Sequence, residues 1–259
     1  GYLEGIADGS VVMAIADPLA HDQGLTLVGG AEGGATEVEG TSGLLLAGSL
    51  ATHLLGWTSE GPVVVDLSDS MARDDVTSAD PTRDLASFRF SGASAALIGG
   101  AAGGRGRARD LMRIALALDS VGGARRVLEI AVEYAKTREQ FGQPIGSFQA
   151  IKHKCADILL RVEAATSAAY SAAAAVDRFD ADAPEITAAA DLAYVYCGQA
   201  YAHAAAETIQ ILGGIGFTWE HPAHLFFKRA KVNGVTLGSV QDVRSTVAES
   251  LGLALLSTH

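Results

Sequence analysis

Two short segments hold the residues whose types and spacing could do chemistry. One runs from Tyr134 to Gln149 (YAKTREQFGQPIGSFQ), the other from Gln210 to Phe217 (QILGGIGF). Arg138 is a cation at a helix C-terminus, and Gly142 reads as the cap that follows it. Gly213-Gly214 reads as a C-terminal turn whose bare backbone another group can approach closely, because no Cβ intervenes. Each of these, taken singly, is an ordinary helix ending. Several other chemistries are excluded. None of the seven His has a Glu three residues before it, so the paired Glu-x-x-His of a di-iron bundle cannot be built. There is no Gly-x-Ser-x-Gly elbow and no Walker loop. Gly99 to Gly106 is glycine-rich but lacks a following Lys-Ser or Lys-Thr, and reads as a linker. Cys155 and Cys197 lie far apart in helical patterns without metal-ligand spacing, as small apolar residues in a reducing compartment.

The elements that must position these segments follow from composition and period. The chain has 259 residues, 49% hydrophobic and 6% aromatic, with a mean hydropathy of +0.23. That suits one large domain or two modest ones and excludes wholesale disorder. Residues 1–104 carry 14 acids and 3 bases, a difference that accounts for the whole net charge of -11; residues 105–259 carry 16 of each. No basic stripe emerges, which argues against nucleic acid as a partner. No apolar stretch is long enough to span a bilayer. The start, Gly1-Tyr2-Leu3-Glu4, has neither Met nor a basic-then-apolar signal pattern, and the chain reads as a piece of a longer bacterial cytoplasmic protein.

The charge boundary is also a change of period. Before it, short apolar runs (Val11–Ala16, Leu25–Val28, Leu44–Leu46, His53–Trp57, Val63–Leu67, Phe88–Phe90, Ala95–Ile98) predict a small antiparallel sheet or barrel. Gly29-Gly30, Gly33-Gly34 and the acidic stretch Asp74-Asp75 to Asp84 read as turns. After it, apolar residues recur every three or four positions. Helices are predicted from Arg107 to about Thr137, from about Phe148 onward, from Glu185 to Leu212 and from Val240 to Leu255. The predicted fold class is α+β: a β-domain over 1–104 and an antiparallel helical bundle over 105–259.

In order, spacing and helical context, the two segments resemble the C-terminal domain of the acyl-CoA dehydrogenase family. The resemblance extends further. Tyr2 to Pro18 is similar to the family's lead into its middle β-domain, and Asp80 to Asp84 with the run to Ile98 to that domain's end. Lys228-Arg-Ala-Lys231 and Gly238 to Arg244 stand where the family's last helices begin. A family N-terminal helical domain is expected to precede Gly1.

The resemblance implies α,β-desaturation of an acyl-CoA, with a carboxylate taking the α-proton and the β-hydrogen leaving as hydride to FAD. The family base is a Glu at one of two places. Alignment on Gly238 and Arg244 puts Thr236-Leu237-Gly238-Ser239 at the first, and counting back from Arg138 puts Met112 at the second; neither Leu237 nor Met112 accepts a proton. The expected catalytic residues are therefore none, and no metal site is expected. The family's Thr-Glu-Pro is Ala16-Asp17-Pro18 here, His21-Asp22-Gln23 replaces Gly-Ser-Asp, and Leu44 to Ala47 replaces a hydroxyl-bearing strand, so this chain is not expected to clasp its own flavin ring. The residues that reach a neighbouring subunit's cofactor in the family are kept: Arg138, Phe141, Gln149, Gln210, Gly213 and Gly214. Arg138 would pair with the pyrophosphate.

These features together imply a base-less subunit of a heteromeric dehydrogenase, resembling the paired actinobacterial enzymes of steroid side-chain catabolism and β-oxidation. The implied assembly is an α2β2 heterotetramer sharing FAD with a partner that carries the catalytic Glu and the acyl-CoA, and passing electrons to an acceptor flavoprotein. Only five Lys accompany the Ala, Gly and Arg richness, as in a GC-rich genome. Two other readings stay open. In one the chain is self-sufficient with a relocated base, Asp119 or Asp242; in the other it is a flavin-free scaffold.

Overall fold

The computed structural model describes residues 2–16, 24–28, 36–68, 71–98 and 104–250. It divides the chain into two units, Gly1–Arg109 and Asp110–His259. The fold class is α+β.

In the first unit, helix α1 (Tyr2–Asp8) precedes a seven-stranded sheet. The strands are β1 (Met13–Ile15), β2 (Thr26–Val28), β3 (Thr36–Leu46), β4 (His53–Thr58), β5 (Gly61–Asp66), β6 (Met71–Val76) and β7 (Leu85–Leu97). Their order is β1-β4-β5-β7-β3-β2, with β6 also pairing β7. The β1–β4 pair is parallel and the others are antiparallel. Successive side chains alternate across the sheet: Ala86, Phe88 and Phe90 of β7 point inward with Val38 and Leu45 of β3, Leu54 of β4 and Val63 and Val65 of β5.

Two sequence expectations change here. The acidic stretch is not simply a turn, because Asp74 and Asp75 lie in β6, paired with Ser87 and Ala86 of β7. Gly104 to Gly106 are not linker but the start of helix α2. Gly29-Gly30, Gly33-Gly34, Asp17-Pro18, His21-Asp22-Gln23 and residues 99–103 lie outside the described residues. Of the Leu44 to Ala47 run, Leu45 is fully buried and Leu44 is exposed.

Helix α2 (Gly104–Thr137) is followed by a two-strand hairpin, β8 (Glu139–Gln140) and β9 (Gln143–Pro144), then α3 (Gln149–Arg178), α4 (Pro184–Leu212), α5 (Ala223–Thr236) and α6 (Val240–Ser250). Pro184 opens α4 at the position where a missing N–H costs nothing. The helices α2, α3 and α4 run up, down and up. Near one end Ile114, Ala117 and Val121 of α2 pack on Ala165, Ala169 and Ala172 of α3 and on Ala190, Ala193 and Cys197 of α4. Nearer the other end Ala124, Val127 and Ala131 meet Ile158 and Val162 of α3 and Tyr201, Ala204 and Ala205 of α4. Small residues at these contacts let the backbones approach. Cys197 Sγ–H donates to the Ala165 carbonyl at 3.2 Å, and burial pushes the thiol up to about 12. Apolar spacing did not predict helix α5, to which only the family resemblance pointed, at Lys228 to Lys231; it begins earlier, at Ala223, and the expected last helix is described only as far as Ser250. Among the described residues no helix is long and apolar enough to cross a membrane.

Candidate functional site

Helix α2 ends at Thr137, and the chain folds back at once. The Arg138 amide donates to the Tyr134 carbonyl at 2.8 Å, and the Ile145 amide donates to the Arg138 carbonyl at 2.7 Å. Between them Gln140 pairs with Gln143 across a two-residue turn, Phe141-Gly142. Both turn residues have positive φ, 55° and 78°, as a type I′ hairpin turn requires. Gly142 is thus a turn residue and not the helix cap expected from the sequence. Phe141 is a bulky residue held where glycine or asparagine is normal, which costs on the order of 1–2 kcal/mol. Its ring is 92% exposed and meets Phe148 edge-on at 6.0 Å. Gly146 seats the hairpin on α2, since a Cβ there would stand 2.8 Å from the Ala135 carbonyl oxygen. Phe148 then serves as N-cap of α3, with Gln149 as its first, exposed residue.

The second segment closes α4. Gln210 is exposed in its last turn. Gly213 has φ 64° and ψ −140°, and its amide donates to the carbonyls of Gln210 and Ile209. A 3-10 turn, Gly213–Phe217, follows. A Cβ added at Gly213 or Gly214 would meet no protein atom within 4 Å, so this backbone faces open space. The two segments share one end of the bundle. Tyr134, which accepts the Arg138 amide, packs with Ile209, Leu212 and Ala223, and Ile145 belongs to the same core as Ile211. The structure brings Arg138, Phe141 and Gln149 together around the hairpin, and Gln210, Gly213 and Gly214 together at the end of α4.

This surface suits a dinucleotide. Arg138 is exposed, and among the described residues no carboxylate pairs with its guanidinium. It is therefore available to fork onto a pyrophosphate. The open glycine backbone offers approach without a side chain in the way, and Phe141 offers an exposed aromatic face. These residues fit FAD as binding contacts. Among the described residues no group of His, Cys, Asp and Glu could hold a metal ion.

The structure also describes both positions at which the resemblance expects a base. Met112 is half-buried on α2, and Leu237 is 1% exposed where α5 ends. The Leu237 backbone is fixed on both sides. Its amide donates to Tyr194 Oη at 3.3 Å, and its carbonyl accepts from Arg113 Nη2 at 3.0 Å. Arg113 also pairs with Asp191 of α4, each side chain 6% exposed, and its guanidinium carbon lies 5.6 Å from the Tyr194 ring centroid. Tyr194 Oη donates within reach of the carbonyls of Asn233 (2.8 Å) and Gly238 (2.9 Å).

The two acids weighed as replacement bases are already engaged. Asp119 accepts from Arg229 Nη1 at 3.1 Å and from Asn233 Nδ2 at 2.8 Å. Ser239 Oγ donates to the Asp242 carboxylate at 2.7 Å and accepts the Asp242 amide at 3.1 Å, an N-terminal box that starts α6. Arg113, Asp191, Tyr194 and Asn233 escaped the sequence reading. Arg113 and Asp191 are 78 residues apart, and no local pattern links them.

Known proteins agree with this architecture. A sequence model described as "Acyl-CoA dehydrogenase, C-terminal domain" matches residues 107–252. The chain is 49% identical over 132 residues to acyl-CoA dehydrogenase FadE34 of Mycobacterium tuberculosis, a match covering 51% of this chain and 18% of that protein. It is 46% identical over 134 residues to acyl-CoA dehydrogenase IpdE2 of the same organism, covering 52% of this chain and 39% of that one. These matches thus span less than half of the curated relatives. The solved structure of a Tcur3481-Tcur3483 steroid ACAD variant superimposes with a TM-score of 0.83 at 26% identity, covering 96% of this chain and 70% of that chain. With the family's C-terminal domain matched over more than half of its length, the chain belongs to the acyl-CoA dehydrogenase family.

Proposed function

We propose that this chain is a non-catalytic subunit of a heteromeric, FAD-dependent acyl-CoA dehydrogenase in a bacterial cytoplasm. It completes a flavin site whose ring pocket and base belong to a partner subunit, in an α2β2 assembly. The observation that carries this reading is the pairing of non-basic side chains, Leu237 and Met112, at both expected base positions with exposed Arg138, Phe141, Gln149 and Gln210 and an open Gly213-Gly214 turn. FAD, when bound, accepts the substrate's β-hydrogen as hydride. This chain's own part is binding and orientation. Arg138 holds the pyrophosphate charge, the Gly213-Gly214 backbone allows close approach, and Phe141, Gln149 and Gln210 close the cofactor from the side opposite the partner. The α-proton passes to the partner's carboxylate, because neither the Leu237 hydrocarbon nor the Met112 thioether is basic enough to receive it.

The name of the similar steroid ACAD supports a steroid CoA thioester as substrate, and the resemblance implies a flavoprotein as electron acceptor. A self-sufficient enzyme finds less support, since Asp119 and Asp242 already have structural partners. A flavin-free scaffold would have no use for an exposed Arg138 that no carboxylate pairs among the described residues, or for an open glycine turn at the same end of the bundle. The test is to purify the chain alone and with a partner dehydrogenase, then read flavin absorbance and dye reduction with acyl-CoA. The complex should be yellow and active and the chain alone neither. A colourless complex, or a yellow and active single chain, overturns the proposal.

A further inference from the structure

The outward seam between α2 and α3 holds two adjoining hollows, of about 400 and 450 Å³. Val132 and Cys155 line both, so the hollows form one groove. Its floor is apolar: Leu128, Val132 and Ala135 come from α2, and Ile151, Cys155 and Leu159 from α3. The two helices run in opposite directions, and the groove has two distinct ends. Glu129 and Glu133 stand on the rim beside Leu128 and Leu159, while Lys136 and Lys152 stand beside Ala135 and Ile151, next to the hairpin. Leu159 is 49% exposed, and Leu160, which follows it on α3, is 69% exposed. Apolar surface laid along a groove and rimmed by charge marks a contact site.

The charges select what covers it. All four rim side chains are exposed, and the ion pairs they make are local: Arg126 with Glu129 at 2.8 Å and Lys136 with Glu133 at 2.9 Å, each within one turn of α2. Pairs this exposed hold little energy and exchange partners at small cost. Among the described residues no carboxylate pairs with Lys152. A two-fold axis through Val132 and Cys155 reverses the groove onto itself. It lays each copy's Glu129 and Glu133 against the other's Lys136 and Lys152, and apolar floor against apolar floor. Self-complementarity of this kind is what a contact between identical chains requires. An unrelated partner has no need of acids at one end and bases at the other.

We propose that this groove is the surface on which two copies of the chain meet about a two-fold axis, with Val132 and Cys155 at its centre. The contact gives the α2β2 reading a place where like chains touch, and it rests on neither the base nor the flavin of that reading. Cys155 also reports on it. Burial holds its thiol above the ordinary value of 9.0, so it reacts slowly and the rate tracks how well the groove is covered. Cys197, the other cysteine, is fully buried and does not compete.

The test is sedimentation of the full chain across a ~100-fold range of concentration, with alkylation of Cys155 by N-ethylmaleimide followed in parallel. A dimer should form as concentration rises, and alkylation should slow with it ~5-fold or more. Glu129→Lys and Lys152→Glu should each weaken the dimer ~10-fold, because each sets like charges together at both ends of the axis. The double variant should recover most of the lost affinity, since its charges are exchanged and not removed. Such a rescue separates an interface role from a folding defect. A chain that stays monomeric overturns the proposal. So does a dimer indifferent to both single variants, or one whose Cys155 reacts as fast as in the monomer. Protection of Cys155 that needs the heteromeric partner, or a small amphiphile, also overturns it. Failure of the heteromeric reading appears separately, as turnover by the chain alone, and leaves the dimer measurement standing.

Discussion

At Leu237 the backbone amide and carbonyl are both consumed by buried partners, Tyr194 and Arg113, while the side chain is hydrocarbon. The corner between α5 and α6 is therefore held by polar groups that do no proton chemistry. Arg113 and Asp191 are buried together, and removing one leaves the other as an uncompensated buried charge. Arg113→Met should cost about 3–5 kcal/mol in urea unfolding; a loss below about 1 kcal/mol would mean the pair is solvated in solution. Phe141 makes the opposite case. Its positive φ spends stability at a position with no packing reason for an aromatic, since the ring is 92% exposed. Strain of this kind persists where function holds it. Phe141→Asn should raise stability by about 1 kcal/mol and lower flavin retention in the complex several-fold. Unchanged retention would remove Phe141 from the cofactor contacts.

At the scale of elements, α5 depends on a histidine. His221 Nδ1 accepts the Ala223 amide at 3.1 Å, which requires an unprotonated nitrogen there. Burial holds His221 below its ordinary value of 6.5, with the neighbouring His224 adding to the effect. The unfolded chain then binds the proton more readily than the folded one. Stability at this residue is full above pH 6.5, falls as pH drops through that value, and levels off below the folded value. A ring titration by NMR should find His221 below 6.5, and His221→Gln should flatten the acid limb of a thermal-stability profile; titration at or above 6.5 contradicts this cap.

Elements with a strong internal period were readable in the sequence, and α2, α3 and α4 lie close to where apolar spacing puts them. Strand β6 was not, because Met71-Ala-Arg-Asp-Asp-Val76 shows no apolar alternation and exists through its pairing with β7. Helix α5, expected only through the family resemblance at Lys228 to Lys231, escaped apolar spacing for a related reason. Its anchor residues, Arg229 and Asn233, find their partner Asp119 more than a hundred positions earlier. The hairpin at Phe141-Gly142 was legible as a glycine stop but not as a positive-φ phenylalanine, which only backbone geometry reveals.

For the whole molecule, the charge boundary falls at the start of α2: residues 1–104 carry the whole net charge, and residues 105–259 carry 16 acids and 16 bases. The helical unit carries all six residues expected to contact the cofactor, and the two acids weighed as bases, Asp119 and Asp242, are engaged in structural hydrogen bonds. Under the proposal above, another polypeptide supplies the base and completes the reaction. The most direct measurement is flavin content and acyl-CoA dehydrogenation for the purified chain, the purified partner and their reconstituted complex under one set of conditions. One FAD per heterodimer, with activity appearing on mixing and abolished when the partner's Glu becomes Gln, is the predicted result. Flavin bound by this chain by itself, with thioester oxidation in the partner's absence, would contradict it.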